Sequence, residues 1–298
     1  MTNKKTFTIV GLGELLWDML PDGKKLGGAP CNFAFHSHQA GLNSYVVSAV
    51  GEDKNGDDIL KTVKDLNLNS SFIQRILDFP TGTVSVELDA EGKPTYKIHE
   101  NVAWDHIAWN DKVQEIASNI DAVCFGSLAQ RNSISRETIS SFLNHTRAKC
   151  LKVFDINLRQ QFYTREIIHS SLLHANILKL NEDELPVIAR FFNYEGTEEK
   201  ILEQLMADYQ ILLIAYTKGS DKSTIIDSTG ISYCEVPKVK VIDTVGAGDS
   251  FTAILVAGLL KKMDLQIIHK LATDVAAYVC TQQGATPVLP SYLLEQLK

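Results

Sequence analysis

Residues 241–250 read VIDTVGAGDS, and this stretch places a carboxylate directly after three small residues. Gly246, Ala247 and Gly248 precede Asp249, and a long apolar segment typical of a buried helix follows. The first backbone N–H groups of a helix have no partner within the helix and carry partial positive charge. Because glycines let an anion approach such groups closely, residues 246–248 are predicted to form an anion hole. Asp249 would lie beside that hole as a base that removes a proton.

The alternative for Asp249 is a purely structural role. Aspartate is a good N-cap residue, and an isolated aspartate at a helix start is more often a cap than a base. The glycines on both sides of Ala247, together with Asp243 and Thr244 just upstream, favour the catalytic interpretation.

Two stretches near the N-terminus could hold a ligand with several hydroxyl groups. In LGGAPCNFAFH (26–36), Gly28 would let a ligand approach the backbone, and Asn32 offers both donors and acceptors. Asp18 is a charged residue of the mostly apolar run GELLWDMLP, where a carboxylate must be solvated, paired or bound to ligand hydroxyls. A tight turn before a helix and a loop aspartate remain the structural alternatives.

The elements that must position these residues alternate between strand and helix. Strand patterns cover 6–13 and 44–51. A helical pattern follows the first strand, beginning near Pro30, and a second helical pattern, at 55–67, follows the other strand. This rhythm predicts an α/β fold with a parallel sheet and helices on both faces. Between about 80 and 108 the residues alternate apolar and polar, with a turn at 89–92, which predicts an inserted antiparallel hairpin. A strand-like VKVID is expected to lead into GAGD.

Polar clusters follow three of the predicted strands, at 155–159, 181–184 and 217–219. Ligands of open α/β sheets bind beyond the carboxyl ends of the strands, so these clusters predict a site at that edge. The sequence has no Walker A motif, and both GAGDSF and GLGELL lack the third glycine of a dinucleotide fingerprint. Any nucleotide is therefore expected to bind without a P-loop.

Composition excludes several classes of protein. The 298 residues carry a net charge of −7, which disfavours a nucleic-acid partner. No apolar run is long enough to span a membrane, and 6–13 is typical of a strand rather than a signal peptide. The five cysteines are odd in number and form no CxxC pair, which predicts reduced thiols in a cytoplasmic protein.

GGAPCNFA and DTVGAGDSF resemble the two signatures of the PfkB (ribokinase-like) family of carbohydrate kinases, in the same order and at similar separation. GELLWDMLP, FGSLAQR and DINLR are most similar to the fructokinase branch. The resemblance covers essentially the whole chain. It implies a single domain, 1–298, with a ribokinase-like three-layer α/β/α fold, a mainly parallel central sheet and a small β-sheet lid formed by about 13–30 and 80–108. In relatives the lid often mediates dimerisation, so a homodimer through the lid is expected.

The resemblance also implies an activity, the transfer of the γ-phosphoryl group of ATP to the 6-hydroxyl of fructose with Mg²⁺ present. Asp249 resembles the family's catalytic base, and Gly246, Ala247 and Gly248 resemble its anion hole. The implied sugar contacts are Asp18, Gly28, Asn32, Asn101, Asn157 and Arg159. The implied ATP contacts are Asn181, Thr217, Gly219, Thr244, Thr273, Cys280 and Gly284.

Two metal positions follow from the same resemblance. Glu184 of the NEDE motif would lie near Mg²⁺ and act through water, and Asp243 would border a monovalent-cation site that holds K⁺ in some relatives. Two residues depart from the family pattern. Val288 occupies a position where ribokinases carry a hydroxyl side chain. Lys218 replaces the middle, apolar residue of the usual T-L-G sequence of the nucleotide loop.

Other functions remain open. A kinase of the same family could act on 2-keto-3-deoxygluconate, ribose or a nucleoside. A sugar-binding regulator without activity could use the same fold, although the complete GAGD motif argues against it. An NAD-dependent oxidoreductase is disfavoured by the missing third glycine.

Overall fold

A computed structural model describes residues 6–21, 23–88 and 94–297. The predicted turn at 89–92 lies outside the described residues.

The described strands form one large and one small sheet. Their bounds are β1 Thr8–Leu12, β2 Leu16–Leu20, β3 Gly23–Gly27, β4 Asn43–Gly51, β5 Ile73–Ile76, β6 Gly82–Leu88, β7 Pro94–Ile98, β8 Ala122–Phe125, β9 Leu151–Asp155, β10 Ile177–Asn181, β11 Leu213–Lys218, β12 Lys222–Asp227 and β13 Gly230–Glu235. The large sheet has the order β13-β12-β11-β10-β9-β8-β1-β4-β5, and the small sheet has the order β3-β2-β6-β7.

Helices connect most strands of the large sheet. Their bounds are α1 Ala29–Gln39, α2 Lys54–Asp65, α3 Asp111–Ala117, α4 Ser133–His145, α5 Arg165–His174, α6 Glu184–Phe192, α7 Glu198–Tyr209, α8 Ala247–Leu260, α9 Leu265–Cys280 and α10 Ser291–Leu294, with short 3₁₀ turns at Ala103–His106, Leu128–Gln130 and Glu295–Leu297.

The large sheet is parallel except at one edge, where β12 pairs antiparallel with both β11 and β13. Alternate residues of one strand reach opposite faces, as β10 illustrates. Ile177 packs with α8 and α9 on one face, and Leu178 and Leu180 pack on the face covered by α3 to α7. This arrangement confirms the predicted three-layer fold with a mainly parallel sheet.

The small sheet falls within the two segments predicted to form a lid. It is tied to the rest of the molecule through Trp17 Nε1, which donates to the Asn55 carbonyl at 3.0 Å, and through Lys24, whose Nζ lies 2.6 Å from Asp58. Ala103, Trp104 and Ile107, at the end of the predicted lid segment, lie in the same apolar core as Val84 and Ile98 of the small sheet, and Trp104 is fully buried. Closure of this sheet and the homodimer remain predictions.

The structure corrects one strand assignment. Residues 238–243 form no strand, because Val239, Val241 and Ile242 are 37%, 54% and 64% exposed in an irregular loop. The hairpin of β12 and β13 was not predicted. None of the helices in the described ranges is both long and apolar enough to cross a bilayer.

Candidate active site

The GAGD stretch forms the start of α8. Gly246 is the N-cap and has φ 79°, a left-handed conformation that favours glycine. A Cβ atom on Gly246 would also lie 2.6 Å from the carbonyl oxygen of Ala285. Asp249 is the third residue of the helix, so the N-cap alternative for this residue is wrong. Its backbone lies in the first turn of α8, directly after Gly246–Gly248, and the anion hole remains a prediction.

Asp249 contacts a residue from the other end of the chain. Asn32, in α1, donates from Nδ2 to Asp249 Oδ2 at 2.8 Å. Within the described part of the protein, Oδ1 of Asn32 is buried and accepts no hydrogen bond. The N-terminal turns of α1 and α8 therefore meet, and Asn32 keeps one acceptor free for a hydroxyl donor.

The surroundings of Asp249 suit a base. Burial raises the pKa of Asp249 to about 6, and the nearby Asp155 carboxylate adds to the rise. The hydrogen bond from Asn32 and the positive charges of Lys179 and Arg159 oppose it. A carboxyl with this pKa is ionised at neutral pH and is a stronger base than an ordinary aspartate.

Two buried charged residues lie under this helix turn, Asp155 from the predicted polar cluster at 155–159 and Lys179, which was not predicted. Lys179 Nζ is 3.1 Å from Asp155 Oδ1, and both side chains are buried. Asp155 Oδ2 accepts from the Thr252 hydroxyl of α8 at 3.2 Å. Lys179 could have been found by the signal that selected Asp18, because it is the single charge in the apolar strand ILKL.

Glu14 is a second residue of this region that was not predicted. It follows β1, its carboxyl is buried, and its Oε2 accepts no hydrogen bond from the described residues. Burial raises its pKa to about 7, and the charge of Asp249 contributes to the rise while Arg159 opposes it. This influence places Glu14 in the electrostatic neighbourhood of the predicted base.

The small sheet brings Asp18 towards the same region. Asp18 lies on β2 beside Gly27, where a Cβ atom would approach Asp18 Oδ2 to 2.5 Å. Burial raises the pKa of Asp18, and Arg159 opposes that rise. Gly28, with φ 112°, is the N-cap of α1, and a Cβ atom there would collide with the Glu14 carbonyl.

The remaining predicted sugar contacts differ in placement. Asn157 and Arg159 follow β9, Asn157 with φ 48°, and Arg159 is exposed while its charge reaches Glu14, Asp18 and Asp249. Asn101 lies after β7 with φ 55° and is exposed. No contact among the described residues joins Asn101 to the others.

The predicted ATP contacts at 181–219 lie at neighbouring strand ends. Asn181 of β10 is the register partner of Thr217 of β11, and Gly219 follows with φ 43°. Asn181 Oδ1 accepts from the Glu184 backbone N–H at 3.0 Å, which starts α6 beside the site.

Glu184 is not open for direct binding to a metal ion. Its two carboxylate oxygens accept the backbone N–H groups of Leu158, at 3.0 Å, and Asn181, at 2.9 Å, and the residue is only 3% exposed. No group of three or more ligand-type side chains occurs among the residues that the structure describes. Only the predicted role through water is compatible with these contacts, and that role remains a prediction.

Asp243 connects the loop before α8 to the segment after α9. Its Oδ1 accepts from Val245 N–H and its Oδ2 accepts from Gly284 N–H, both at 3.0 Å. The Cys280 carbonyl accepts from Ile242 N–H at 2.8 Å. These bonds bring Cys280 and Gly284 next to Thr244, which is exposed.

Thr273 stands apart from the other predicted ATP contacts. It is 2% exposed, and its hydroxyl bonds to the His269 carbonyl and to Ser223 inside the protein. The side chain therefore offers no surface to a ligand in this structure, because α9 turns it towards β12.

Comparisons with known proteins identify the family of this chain. The model of the pfkB family of carbohydrate kinases matches residues 22–291. The uncharacterized sugar kinase PH1459 of Pyrococcus horikoshii is 28% identical over 93% of this chain and 91% of its own. Its crystal structure in complex with ATP has a TM-score of 0.81 and covers 98% of this chain and 100% of that chain, at 26% identity.

Two further relatives have assigned substrates. A fructokinase of Klebsiella pneumoniae is 28% identical and covers 94% of this chain and 95% of its own. An ATP-dependent 6-phosphofructokinase of Thermoanaerobacterium thermosaccharolyticum is 26% identical, with 96% and 92% covered.

Proposed function

This chain belongs to the pfkB family of carbohydrate kinases, and from this membership we propose that it is an ATP-dependent fructokinase. The observation that carries the proposal is the position of Asp249, in the first turn of α8 beside Gly246–Gly248 and bonded to Asn32. The fructokinase relative from K. pneumoniae and the GELLWDMLP and DINLR stretches support fructose as the acceptor.

The proposed reaction uses the two sides of Asp249. On one side, Asn32, Asp18 and the residues after β9 would hold the sugar. Asp249 would take the proton of the sugar 6-hydroxyl while the oxygen of that hydroxyl attacks the γ-phosphorus. The bond between the γ-phosphorus and the ADP oxygen would break.

On the other side, the ends of β10 and β11 would hold ATP. The backbone N–H groups at the start of α8 would stabilise the charge on the transferring phosphoryl group. Bound Mg²⁺ would neutralise phosphate charge, and few protein ligands are needed because Mg²⁺ keeps several waters. Closure of the small sheet would exclude water, which could otherwise accept the phosphoryl group.

The test is ADP release from ATP and Mg²⁺ with fructose, fructose 6-phosphate, 2-keto-3-deoxygluconate, ribose and a nucleoside. We expect fructose to be the preferred acceptor and Asp249→Asn to lower kcat by at least about 10²-fold, the usual contribution of a general base. Asp264→Asn, at the N-cap of α9, is the matched control and should retain activity.

Preference for another acceptor would contradict fructokinase and leave the base assignment in place. Undiminished turnover by Asp249→Asn would contradict the base. Tight sugar binding without turnover of any acceptor would support the regulator instead.

A further inference from the structure

A buried ion pair lies on the face of the large sheet that α8 and α9 cover. Lys179 of β10 and Asp155 of β9 are register partners, and they are 8% and 4% exposed. Their neighbours two positions earlier on the same face, Ile177 and Val153, belong to the apolar core. The pair therefore interrupts a surface that the rest of the sequence keeps apolar.

Stability does not account for a lysine at this position. Removing two charges from water costs free energy, and apolar replacements of a buried ion pair are often neutral or stabilising. A cation is also unfavourable near the positive end of a helix. Yet Lys179 Nζ lies under the first turn of α8, 2.9 Å from where a Cβ atom on Gly248 would be.

We propose that Lys179, oriented by Asp155, is a positioning residue that keeps the Asp249 carboxylate ionised and adds positive charge beneath the anion hole, a role that rests on the proposed function of Asp249 as the base.

The side chains that influence Asp249 come from several elements. The acidic ones are Asp155 of β9 and Glu14 after β1, the cations are Lys179 of β10 and Arg159 after β9, and Asn32 of α1 is a neutral donor. The Cys31 and Cys124 thiols are buried, and burial raises the pKa of both so that they stay neutral. Since Arg159 is exposed, Lys179 is the buried cation of this group.

Lys179 remains protonated in this environment. Burial lowers its pKa, but Asp155, Glu184 and Asp249 outweigh burial and raise the pKa above its ordinary value. Asp155 fixes the ammonium group and is itself held by the Thr252 hydroxyl of α8. The lysine thus acts on Asp249 as a fixed charge, whereas Asp155 acts in the opposite direction.

Lys179 and Asp155 shift the pKa of Asp249 in opposite directions, and a titration of Asp249 in variants of each residue tests this. The carboxyl of Asp249 can be titrated by NMR in ligand-free, ¹³C-aspartate-labelled protein, with Asp249→Asn used to assign its signal. We expect Lys179→Met to raise the pKa of Asp249 by about one unit, and Asp155→Asn to lower it by a similar amount.

The matched control is Asp105→Asn, which breaks another buried ion pair. Arg131 donates to Asp105 from Nε at 2.7 Å and from Nη2 at 2.8 Å. This variant should lose stability and leave the pKa of Asp249 within about 0.3 unit of the wild type. Lys179→Arg, which keeps the charge, should also leave it near the wild-type value.

An unchanged pKa of Asp249 in folded Lys179→Met would overturn the proposal. If that variant does not fold, Asp155→Asn decides: a shift to lower pKa supports the proposal, and no shift overturns it. Because the titration needs no substrate, it remains informative if no acceptor is phosphorylated, a result that would refute the proposed function alone.

Discussion

At the residue scale, Asp249 combines burial with a neighbouring carboxylate, and both disfavour its charge. Its pKa is raised to about 6 in the folded protein, against about 3.9 for an unperturbed aspartate. A carboxyl whose pKa rises on folding binds its proton more tightly when folded. Its ionisation therefore destabilises the fold as pH rises from about 4 through 6.

We therefore expect Asp249→Asn to be more stable than the wild type at pH 7.5, by about 1–3 kcal/mol, and to lose that advantage near pH 4. Urea unfolding of both proteins at several pH values measures the difference. Equal stability of the two proteins at pH 7.5 would contradict a raised pKa of the buried Asp249 carboxyl. Asp264→Asn, a cap at the start of α9, should show no such gain.

The residue types of the site could be predicted, but their electrostatic neighbours could not. The small residues before Asp249 and the amide of Asn32 mark chemistry in the sequence itself. The bond between Asn32 and Asp249 joins residues 217 positions apart, so only the fold brings them together. The bond between Lys179 and Asp155 likewise joins residues 24 positions apart on neighbouring strands.

At the element scale, the start of α8 depends on a left-handed N-cap packed on the segment after α9. Gly246 and Gly284 have nearly equal φ angles, 79° and 78°. A Cβ atom on Gly246 would meet Ala285, whereas no atom lies within 4 Å of a Cβ atom on Gly284. A substitution at Gly284 therefore introduces backbone strain alone, whereas a substitution at Gly246 adds a steric collision.

We expect Gly284→Ala to cost about 1 kcal/mol of unfolding free energy, from the left-handed conformation alone. Gly246→Ala should cost about 1–3 kcal/mol more, because the collision must displace the 285 backbone or the helix start. Urea denaturation of the two variants gives both values. Equal losses would show that the loop relaxes freely around Gly246.

The same loop shows why one element was predicted wrongly. Residues 238–241 alternate polar and apolar side chains, which is the pattern of a half-buried strand. A strand also needs a partner, and here the backbone N–H groups of Ile242 and Asp243 bond to the Cys280 carbonyl instead. Periodicity reports side-chain pattern only, so it cannot supply that information.

At the scale of the whole molecule, the strand–helix rhythm was sufficient to predict the layers, and the alternation at 80–108 predicted the inserted hairpin. The rest of the small sheet was implied only by the family resemblance. The sequence pattern could not predict where the small sheet touches the main body. One such contact lies next to Arg159, because Gln160, after β9, donates from Nε2 to the Tyr96 carbonyl of β7 at 2.5 Å. The small sheet also packs on the main body through Leu16, Val84 and Ile98. With Asp18 on β2 and Asn32 on α1, a bound sugar would contact both the small sheet and the main body.

If the small sheet closes on substrates, ligands should slow hydrogen exchange in its strands. We expect amides of β2 and β6 to be protected several-fold in the presence of fructose and a non-hydrolysable ATP analogue, because closure couples their opening to ligand release. Exchange in α3, none of whose residues is a predicted ligand contact, is the internal control and should not change. Asp18→Asn should reduce the protection, because it removes the carboxylate of the small sheet that is predicted to bind the sugar. Saturating ligands that leave β2 and β6 exchanging at the ligand-free rate would mean that the sheet is a fixed wall of the site rather than a lid.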